Sequence, residues 1–218
     1  MKKLFSANPV FWVFFAIFAI FGGILLIYLP KGDEILYLNG LHSNFSDLFF
    51  KYATHLGDGF FIVLLIIYLL FVRFVQAFQM AITFALTGIF TFVGKFLLFP
   101  NEVRPLAFFQ KNTLNLVEGV DVHSFNSFPS GHSMTAFAGF CLLALFSKNN
   151  KKGLIAFYCA LMVVLSRMYL SQHFLRDTYA GAWLGVLAAS MVFVGFDYLP
   201  KRNWFERKIS FSKKNIKQ

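Results

Sequence analysis

The chain has 218 residues, of which 58% are hydrophobic and only 14% charged, and it carries a formal net charge of +10. This is more apolar surface than one soluble core could bury, so the composition excludes a soluble domain and predicts an integral membrane protein. The apolar segments are continuous and do not alternate with polar residues, which argues against a β-barrel and favours an all-α, polytopic helical bundle.

Six apolar stretches are candidates for helices that cross a bilayer core of about 30 Å. The predicted spans are residues 10–29, 59–75, 77–99, 132–147, 153–170 and 178–199. The first span is longer than the apolar region of a signal peptide and lacks a small-residue cleavage site, so we expect it to be retained. Of the two long loops, 30–58 is predicted to hold an amphipathic segment at the membrane interface, and 100–131 leads into the fourth span.

Basic residues concentrate at one end of the predicted bundle. Six spans put both termini at the same end, which carries 13 of the 20 Lys and Arg residues but only two acids, Asp197 and Glu206. The 13 are Lys2, Lys3, Arg73, Lys148, Lys151, Lys152, Lys201, Arg202, Arg207, Lys208, Lys213, Lys214 and Lys217. The positive-inside rule therefore places both termini in the cytoplasm, and the charge does not indicate nucleic-acid binding. We expect the basic tail to lie on anionic lipid headgroups.

The sequence Pro129-Ser130-Gly131-His132 stands where the second long loop becomes the fourth span. The first turn of a helix presents unpaired backbone N–H groups and the positive end of the helix dipole, and a glycine lets an anion approach the backbone. This arrangement predicts a phosphate-binding turn at Gly131. Ser130 can cap the helix or donate its hydroxyl to a phosphate oxygen, and both interpretations are open.

A second polar cluster begins with Ser166 and Arg167 at the end of the fifth span and continues with His173 and Asp177. Residues four apart on a helix share a face, so we expect Asp177 to hold the Nδ1–H of His173 and leave Nε2 free as a nucleophile or base. Arg167 offers a planar fork that matches phosphate oxygens. Ionisable groups at membrane depth are costly, so this second histidine strengthens a functional interpretation of His132.

Arg104-Pro105, P-S-G-H at 129–132 and S-R-x5-H-x3-D at 166–177 together resemble the three-part signature of the type 2 phosphatidic acid phosphatase superfamily, whose members are membrane lipid phosphatases. The second and third parts match at every fixed position and spacing. The resemblance covers about residues 57–199 and implies a catalytic core there. With no internal repeat or separate soluble domain, the chain is expected to form one domain, 1–218, that ends in a basic cytoplasmic tail, 200–218.

The resemblance implies a role for each motif residue by position. His173 would be the nucleophile that forms a phosphohistidine, Asp177 its orienting carboxylate, and His132 the general acid. The phosphate ligands would be Arg104, Arg167, Ser130, the Gly131 N–H and Lys95. Phosphoryl transfer depends mainly on positioning and electrostatic stabilisation, which agrees with this division, and no metal or organic cofactor is implied.

The first motif departs from the family pattern. The family has six residues between its lysine and Arg-Pro, whereas eight residues separate Lys95 from Arg104. Nine positions on a continuous helix turn through about 900°, which places the two side chains on opposite faces. We expect Pro100 to end the helix, so that Arg104 lies on a loop that folds back. Lys95 is thus a candidate phosphate ligand, with a lysine that snorkels to the interface as the alternative.

Two other functions compete with the phosphatase. His132, His173 and Asp177 form a possible two-histidine, one-carboxylate metal site, which would make the protein a metal-dependent hydrolase. The arginines argue against this alternative, because they would repel a cation and attract a phosphate. A noncatalytic carrier of anionic lipid phosphates is the second alternative, since intramembrane charges also mark transport routes.

The remaining polar residues and the cysteines have simpler interpretations. His42, His55 and His123 lack spaced partners and are expected to be structural or solvent-facing, and Arg176 is expected to be an interfacial charge. Cys141 and Cys159 lie in apolar surroundings, where a thiol behaves as a small hydrophobic group.

By resemblance, the partner is a lipid phosphate in the bilayer. The candidates are undecaprenyl diphosphate, phosphatidylglycerol phosphate, phosphatidic acid and the phosphates of lipid A. The charge asymmetry places the site at the extracytoplasmic face of the membrane. The size and short loops of the chain favour a bacterial inner or plasma membrane, in which this face is periplasmic or extracellular. The sequence carries no signal for an oligomeric state.

Overall fold

The computed structural model describes residues 2–109, 113–147, 149–200 and 207–209. Its helices are α1 (Lys2–Ala7), α2 (Pro9–Tyr28), α3 (Asp33–Asn39), α4 (Asn44–Ala53), α5 (Gly59–Val72), α6 (Phe74–Phe92), α7 (Pro105–Phe108), α8 (Gly131–Ser147), α9 (Asn150–Tyr169) and α10 (Leu175–Gly195). A 3-10 turn, Thr54–Gly57, follows α4, and a π-helical turn, Val93–Leu98, extends α6. All regular structure in the described ranges is helical, which confirms the all-α prediction.

Each of the six predicted spans coincides with a helix, but two of these helices are short. Four helices in the described ranges are long and apolar enough to cross a membrane: Pro9–Tyr28, Phe74–Leu98, Asn150–Tyr169 and Leu175–Tyr198. A fifth span results if Asn44–Gly57 is counted with α5, from which it is bent by 56°. α8 has 17 residues and is mostly buried, so protein surrounds it and its length does not have to match the hydrocarbon core.

Both termini lie at the same end of the bundle. Three contacts bring the termini together with the α8–α9 and α5–α6 turns: Lys3 with Asp197, the Asn8 side chain with the Asn149 carbonyl, and the Phe74 N–H with the Arg207 carbonyl. The motif-bearing loops consequently lie at the opposite end. Of the basic tail predicted at 200–218, residues 201–206 and 210–218 lie outside the described ranges.

The central helix α8 packs against α6, α9 and α10. Gly181 and Gly185 of α10 face it, and a Cβ on Gly185 would lie 2.2 Å from the Met134 carbonyl oxygen. This small-xxx-small spacing lets the two helix backbones touch. The Ser130 N–H also donates to the Asp177 carbonyl at 2.9 Å. The close approach therefore fixes the start of α8 against the start of α10.

The loop predicted to be amphipathic contains α3 and α4. α4 packs against α9 and exposes Phe45, Leu48 and Tyr52, as an amphipathic segment requires. Cys141 is buried and Cys159 half-buried, and both are free thiols in apolar surroundings, as expected.

Candidate active site

Five segments meet at the end of the bundle opposite the termini: the turn between α4 and α5, the π turn after α6, the loop before α8, the first turn of α8, and the α9–α10 connection. They enclose a cavity of about 490 Å³. Six of the eight residues predicted for the site line this cavity: Lys95, Arg104, Gly131, His132, Arg167 and His173. The other two, Ser130 and Asp177, are fully buried and contact residues near its wall.

His173 and Asp177 are paired, but in a different way from the one predicted. α10 begins at Leu175, so His173 precedes the helix and Asp177 occupies its first turn. Asp177 Oδ2 accepts a hydrogen bond from the Phe174 N–H at 3.1 Å and lies 3.5 Å from His173 Nδ1. The prediction that His173 and Asp177 share one face of a helix is wrong, because the chain turns at His173 before α10 begins. The carboxylate reaches the histidine by capping the helix.

Ser127, which is not among the predicted site residues, joins this pair. Its hydroxyl donates to Asp177 Oδ2 at 2.5 Å and lies 3.4 Å from His173 Nδ1, with no exposed surface. Ser127 stands two residues before Pro129, next to a recognised motif. A single serine is too common for its position alone to reveal this contact.

The surroundings of His173 favour its neutral form. Burial lowers the pKa of His173 well below the ordinary value of 6.5, and the charges of Arg167, Arg104 and Lys95 act in the same direction. A neutral imidazole has the lone pair that a nucleophile needs.

Arg104 enters the cavity from an extended residue that immediately precedes α7. Its backbone N–H donates to the Ser124 carbonyl at 2.9 Å, and its Nε donates to the Phe125 carbonyl at 2.8 Å. The two Nη groups make only long contacts of 3.4 Å with carbonyl oxygens. Burial lowers the pKa of Arg104, while the Asp177 carboxylate opposes this shift. The loop thus holds the base of the guanidinium and leaves its outer edge for an anion.

Arg167 lies in the last turn of α9 and is 5% exposed. Nη1 donates to the Thr54 hydroxyl at 3.0 Å, and Nη2 donates to the Gln172 side-chain oxygen. Its buried Nε has no hydrogen-bond partner among the described residues. A buried guanidinium without a full set of acceptors is costly, and a bound phosphate would supply the missing ones.

The chain bends between Lys95 and Arg104, as predicted. Lys95 lies in the π turn, where the Phe99 N–H donates to the Gly94 carbonyl at 2.9 Å. A π turn contains more residues than an α-helical turn, which offsets part of the longer spacing. Asn101 then adopts a positive φ of 64°, and the chain returns toward the cavity. Lys95 and Arg104 therefore line one cavity; a phosphate contact of Lys95 stays a prediction.

Ser130 has the geometry of a helix cap. Its Oγ accepts hydrogen bonds from the Ser133 N–H at 3.4 Å and from the Ser133 hydroxyl at 3.0 Å. Gly131 follows at the cavity wall, where a Cβ would lie 3.3 Å from Thr91 Cγ2. The first turn of α8 is thus tightly held. The capping interpretation matches this geometry, and the phosphate contact of Ser130 stays a prediction.

His132 faces a carboxylate that lies outside the sequence motifs. Its Nε2 lies 2.6 Å from Asp58 Oδ1, and His55 Nδ1 lies 2.6 Å from Asp58 Oδ2. Burial raises the pKa of Asp58, but hydrogen bonds from His132 and His55 outweigh it and lower the pKa to about 2. His55 is exposed, as expected, but both His55 and His123 also line the cavity, which their positions in the chain did not predict. Asp58 could not be found from spacing because it lies far from His132 in the chain.

Two other polar residues also have specific contacts. His42 lies 3.0 Å from Asp47, and its ring stacks on that of Tyr169 with a centroid distance of 4.4 Å. This cluster fits the structural role expected of His42. Arg176, expected to be an interfacial charge, forms an ion pair with Glu102 across the loop.

The described ranges contain no group of three or more His, Cys, Asp or Glu side chains placed to hold a metal ion. Three cations, Lys95, Arg104 and Arg167, instead line the cavity beside His132 and His173. Their charge suits an anion such as phosphate.

The fold and the cavity define an all-helical integral membrane protein with a basic cavity at one end of its bundle. The model of the PAP2 superfamily matches residues 76–201, more than half of the chain. The chain therefore belongs to the PAP2 superfamily, as its motifs predicted.

Two curated proteins are similar to part of the chain. Phosphatidylglycerophosphatase B of Bacillus subtilis is 41% identical over an 85-residue alignment that covers 35% of this chain and 41% of that protein. The bacitracin transport permease protein BcrC of Bacillus licheniformis is 38% identical over 86 residues, 39% of this chain and 36% of that protein. The alignments therefore span less than half of either relative.

Two crystal structures are similar over most of the chain. LpxE of Aquifex aeolicus has a TM-score of 0.67 and 22% identity, covering 77% of this chain and 96% of that one. A transmembrane PAP2-type phosphatidylglycerolphosphate phosphatase from Bacillus subtilis has a TM-score of 0.62 and 28% identity, covering 93% of this chain and 100% of that one. These similarities confirm the membrane helical fold.

Proposed function

We propose that this protein is a lipid phosphatase that cleaves a phosphomonoester or diphosphate through a phosphohistidine at His173. The observation that carries the proposal is the placement of His173, whose Nδ1 faces Ser127 and Asp177 in a cavity that Arg104 and Arg167 also line. Membership of the PAP2 superfamily supports the same activity.

In the proposed reaction, His173 Nε2 attacks phosphorus, and the N–P bond forms as the P–O bond to the lipid breaks. His132 donates its proton to the leaving oxygen. His132 then accepts a proton from water, whose oxygen bonds to phosphorus as the N–P bond breaks and inorganic phosphate leaves. Asp177 remains ionised and balances the positive charge that His173 acquires.

The three cations stabilise the charge on the phosphoryl group during transfer. Arg104 presents the outer edge of its guanidinium, Arg167 has an Nε without a partner among the described residues, and Lys95 lines the same cavity. Donors that are already in place stabilise the transition state without reorganisation. We expect the chemistry to need no metal or organic cofactor.

An apolar groove beside the polar cavity supports a lipid substrate. The groove has a volume of about 700 Å³ and lies between α4 and α9. The turn Thr54–Gly57 separates the two spaces, since Leu56 lines the groove while Thr54 and His55 line the cavity. We infer that a lipid with its phosphate head in the cavity passes its hydrocarbon tail over this turn into the groove.

The basic excess at the termini supports a site on the extracytoplasmic face of the membrane. A membrane-impermeant maleimide applied to intact cells tests this topology. We expect it to label Asn44→Cys, in an exposed position near the cavity end, and to leave Asn150→Cys unlabelled until the cells are lysed. The reverse pattern would place the cavity in the cytoplasm.

Phosphate release from purified protein tests the activity. The panel comprises undecaprenyl diphosphate, phosphatidylglycerol phosphate, phosphatidic acid and lipid A, each in excess chelator. We expect release from at least one lipid, and we expect His173→Ala to abolish turnover while lipid binding remains. Binding without release from any lipid would favour a carrier. Activity lost in chelator and restored by a divalent metal would favour a metal-dependent hydrolase.

A further inference from the structure

Asp58 lies between two histidines at the edge of the cavity. It follows the 3-10 turn Thr54–Gly57 and precedes α5, and each of its carboxylate oxygens lies 2.6 Å from a ring nitrogen, one of His132 and one of His55. The His132 and Asp58 side chains are 34% and 31% exposed, whereas His55 is 62% exposed. The His132 contact is therefore the more sheltered of the two.

The backbone holds Asp58 in this position. A Cβ on Gly57 would lie 2.7 Å from Val163 Cγ1 and 2.8 Å from the His132 carbonyl oxygen. Only a glycine allows the turn to press so closely against α8 and α9. The carboxylate is consequently placed relative to His132 by packing as well as by the ion pair.

We propose that Asp58 is a positioning residue for the general acid, and that it holds the Nε2–H of His132 so that Nδ1 carries the proton delivered to the leaving oxygen. This inference rests on the proposed phosphatase function. Which imidazole nitrogen is protonated is set by the hydrogen bond that the other nitrogen makes. Asp58 would orient the proposed general acid, His132, as Asp177 orients the proposed nucleophile, His173.

The charges around His132 give Asp58 a second effect. Arg167 from α9 and Lys95 from the π turn act on His132 through space, and His173 lies in the same cavity. Both cations disfavour an additional positive charge, and Asp58 is the carboxylate in direct contact with the ring. Since its pKa is about 2, Asp58 is ionised at neutral pH and offsets part of this repulsion.

The proton balance keeps Asp58 charged throughout. In the first step the Nδ1 proton of His132 moves to the lipid oxygen as the P–O bond breaks, which leaves a neutral imidazole. In the second step water returns a proton to Nδ1 as its oxygen bonds to phosphorus. Asp58 accepts the Nε2–H hydrogen bond in both steps and takes up no proton.

The dependence on the leaving group tests this role. The variant Asp58→Asn is compared with wild type in kcat/KM for a lipid phosphate and for p-nitrophenyl phosphate. A lipid alkoxide needs a proton to leave, so we expect a loss of roughly 10- to 100-fold with the lipid. p-Nitrophenolate leaves without protonation, so we expect less than about a threefold loss with that substrate. Asp58→Glu keeps the charge and should retain more lipid activity than Asp58→Asn.

Asp47→Asn is a matched control, because Asp47 also pairs with a histidine, His42, and is 29% exposed, but it does not line the cavity. Asp47→Asn should leave kcat/KM unchanged for both substrates. An equal loss of both substrates in Asp58→Asn would show a structural role and overturn the inference, as would full activity on the lipid. A wild-type protein that hydrolyses neither substrate would instead overturn the proposed function, and the inference with it.

Discussion

Ser127→Ala removes one hydroxyl from the group that orients the proposed nucleophile. The Ser127 hydroxyl donates to Asp177 Oδ2 at 2.5 Å in a site without exposed surface, so no bulk water can replace it. A hydrogen bond to a charged group contributes about 1.5 to 3 kcal/mol. If the loss appears in the transition state, at 1.36 kcal/mol for each factor of ten, kcat/KM falls roughly 10- to 150-fold.

The assay is phosphate release from the best lipid of the panel, with the melting temperature measured in the same detergent. Thr178→Val is the control, because Thr178 is also fully buried and its hydroxyl donates to a backbone carbonyl, that of Leu175, at 2.9 Å. It should keep activity within about threefold, since its hydrogen bond does not touch the orienting carboxylate. A folded Ser127→Ala variant with wild-type kcat/KM would refute the orienting role of the Ser127–Asp177 contact.

Three further predictions concern the cavity and its support. Lys95→Met should lower phosphate release severely. Near-normal turnover in folded protein would show that Lys95 is not a phosphate ligand. Gly185→Ala should lower the melting temperature, because its Cβ would lie 2.2 Å from the Met134 carbonyl oxygen, whereas Gly88→Ala, which meets nothing within 4 Å, should leave it unchanged or raise it. The pKa of His173 is well below 6.5 in the folded protein, so near pH 6.5 only the unfolded chain takes up a proton at this residue. The free energy of unfolding is therefore expected to fall as the pH drops through 6.5. Melting temperatures between pH 7.5 and 5.5 should therefore decline less in His173→Gln, and equal slopes would contradict this account.

The sequence predicted the parts of the site that have a local pattern. The P-S-G-H and S-R-x5-H-x3-D motifs identified His132, Arg167 and His173, and the structure places all three around one cavity. The bend after Lys95 was also predictable, because proline has a strong and local effect on helices. The six long helices α2, α5, α6, α8, α9 and α10 followed from apolar runs alone.

Other contacts depend on packing between distant segments. Asp58 reaches His132 only because a turn before α5 presses against α8, and no spacing in the chain encodes that approach. The geometry of Asp177 was mistaken for a related reason. A spacing of four residues fits a shared helical face, but it also fits a turn followed by a capped helix, and only the fold distinguishes them.

The Oδ2 atom of Asp177 both caps α10 and faces the ring of His173. One carboxylate oxygen therefore serves both the start of α10 and the orientation of the proposed nucleophile. Until the first turn of α10 forms, this carboxylate oxygen is not held beside His173. A substitution at Asp177 is therefore expected to alter both the orientation of His173 and the way the last helix begins.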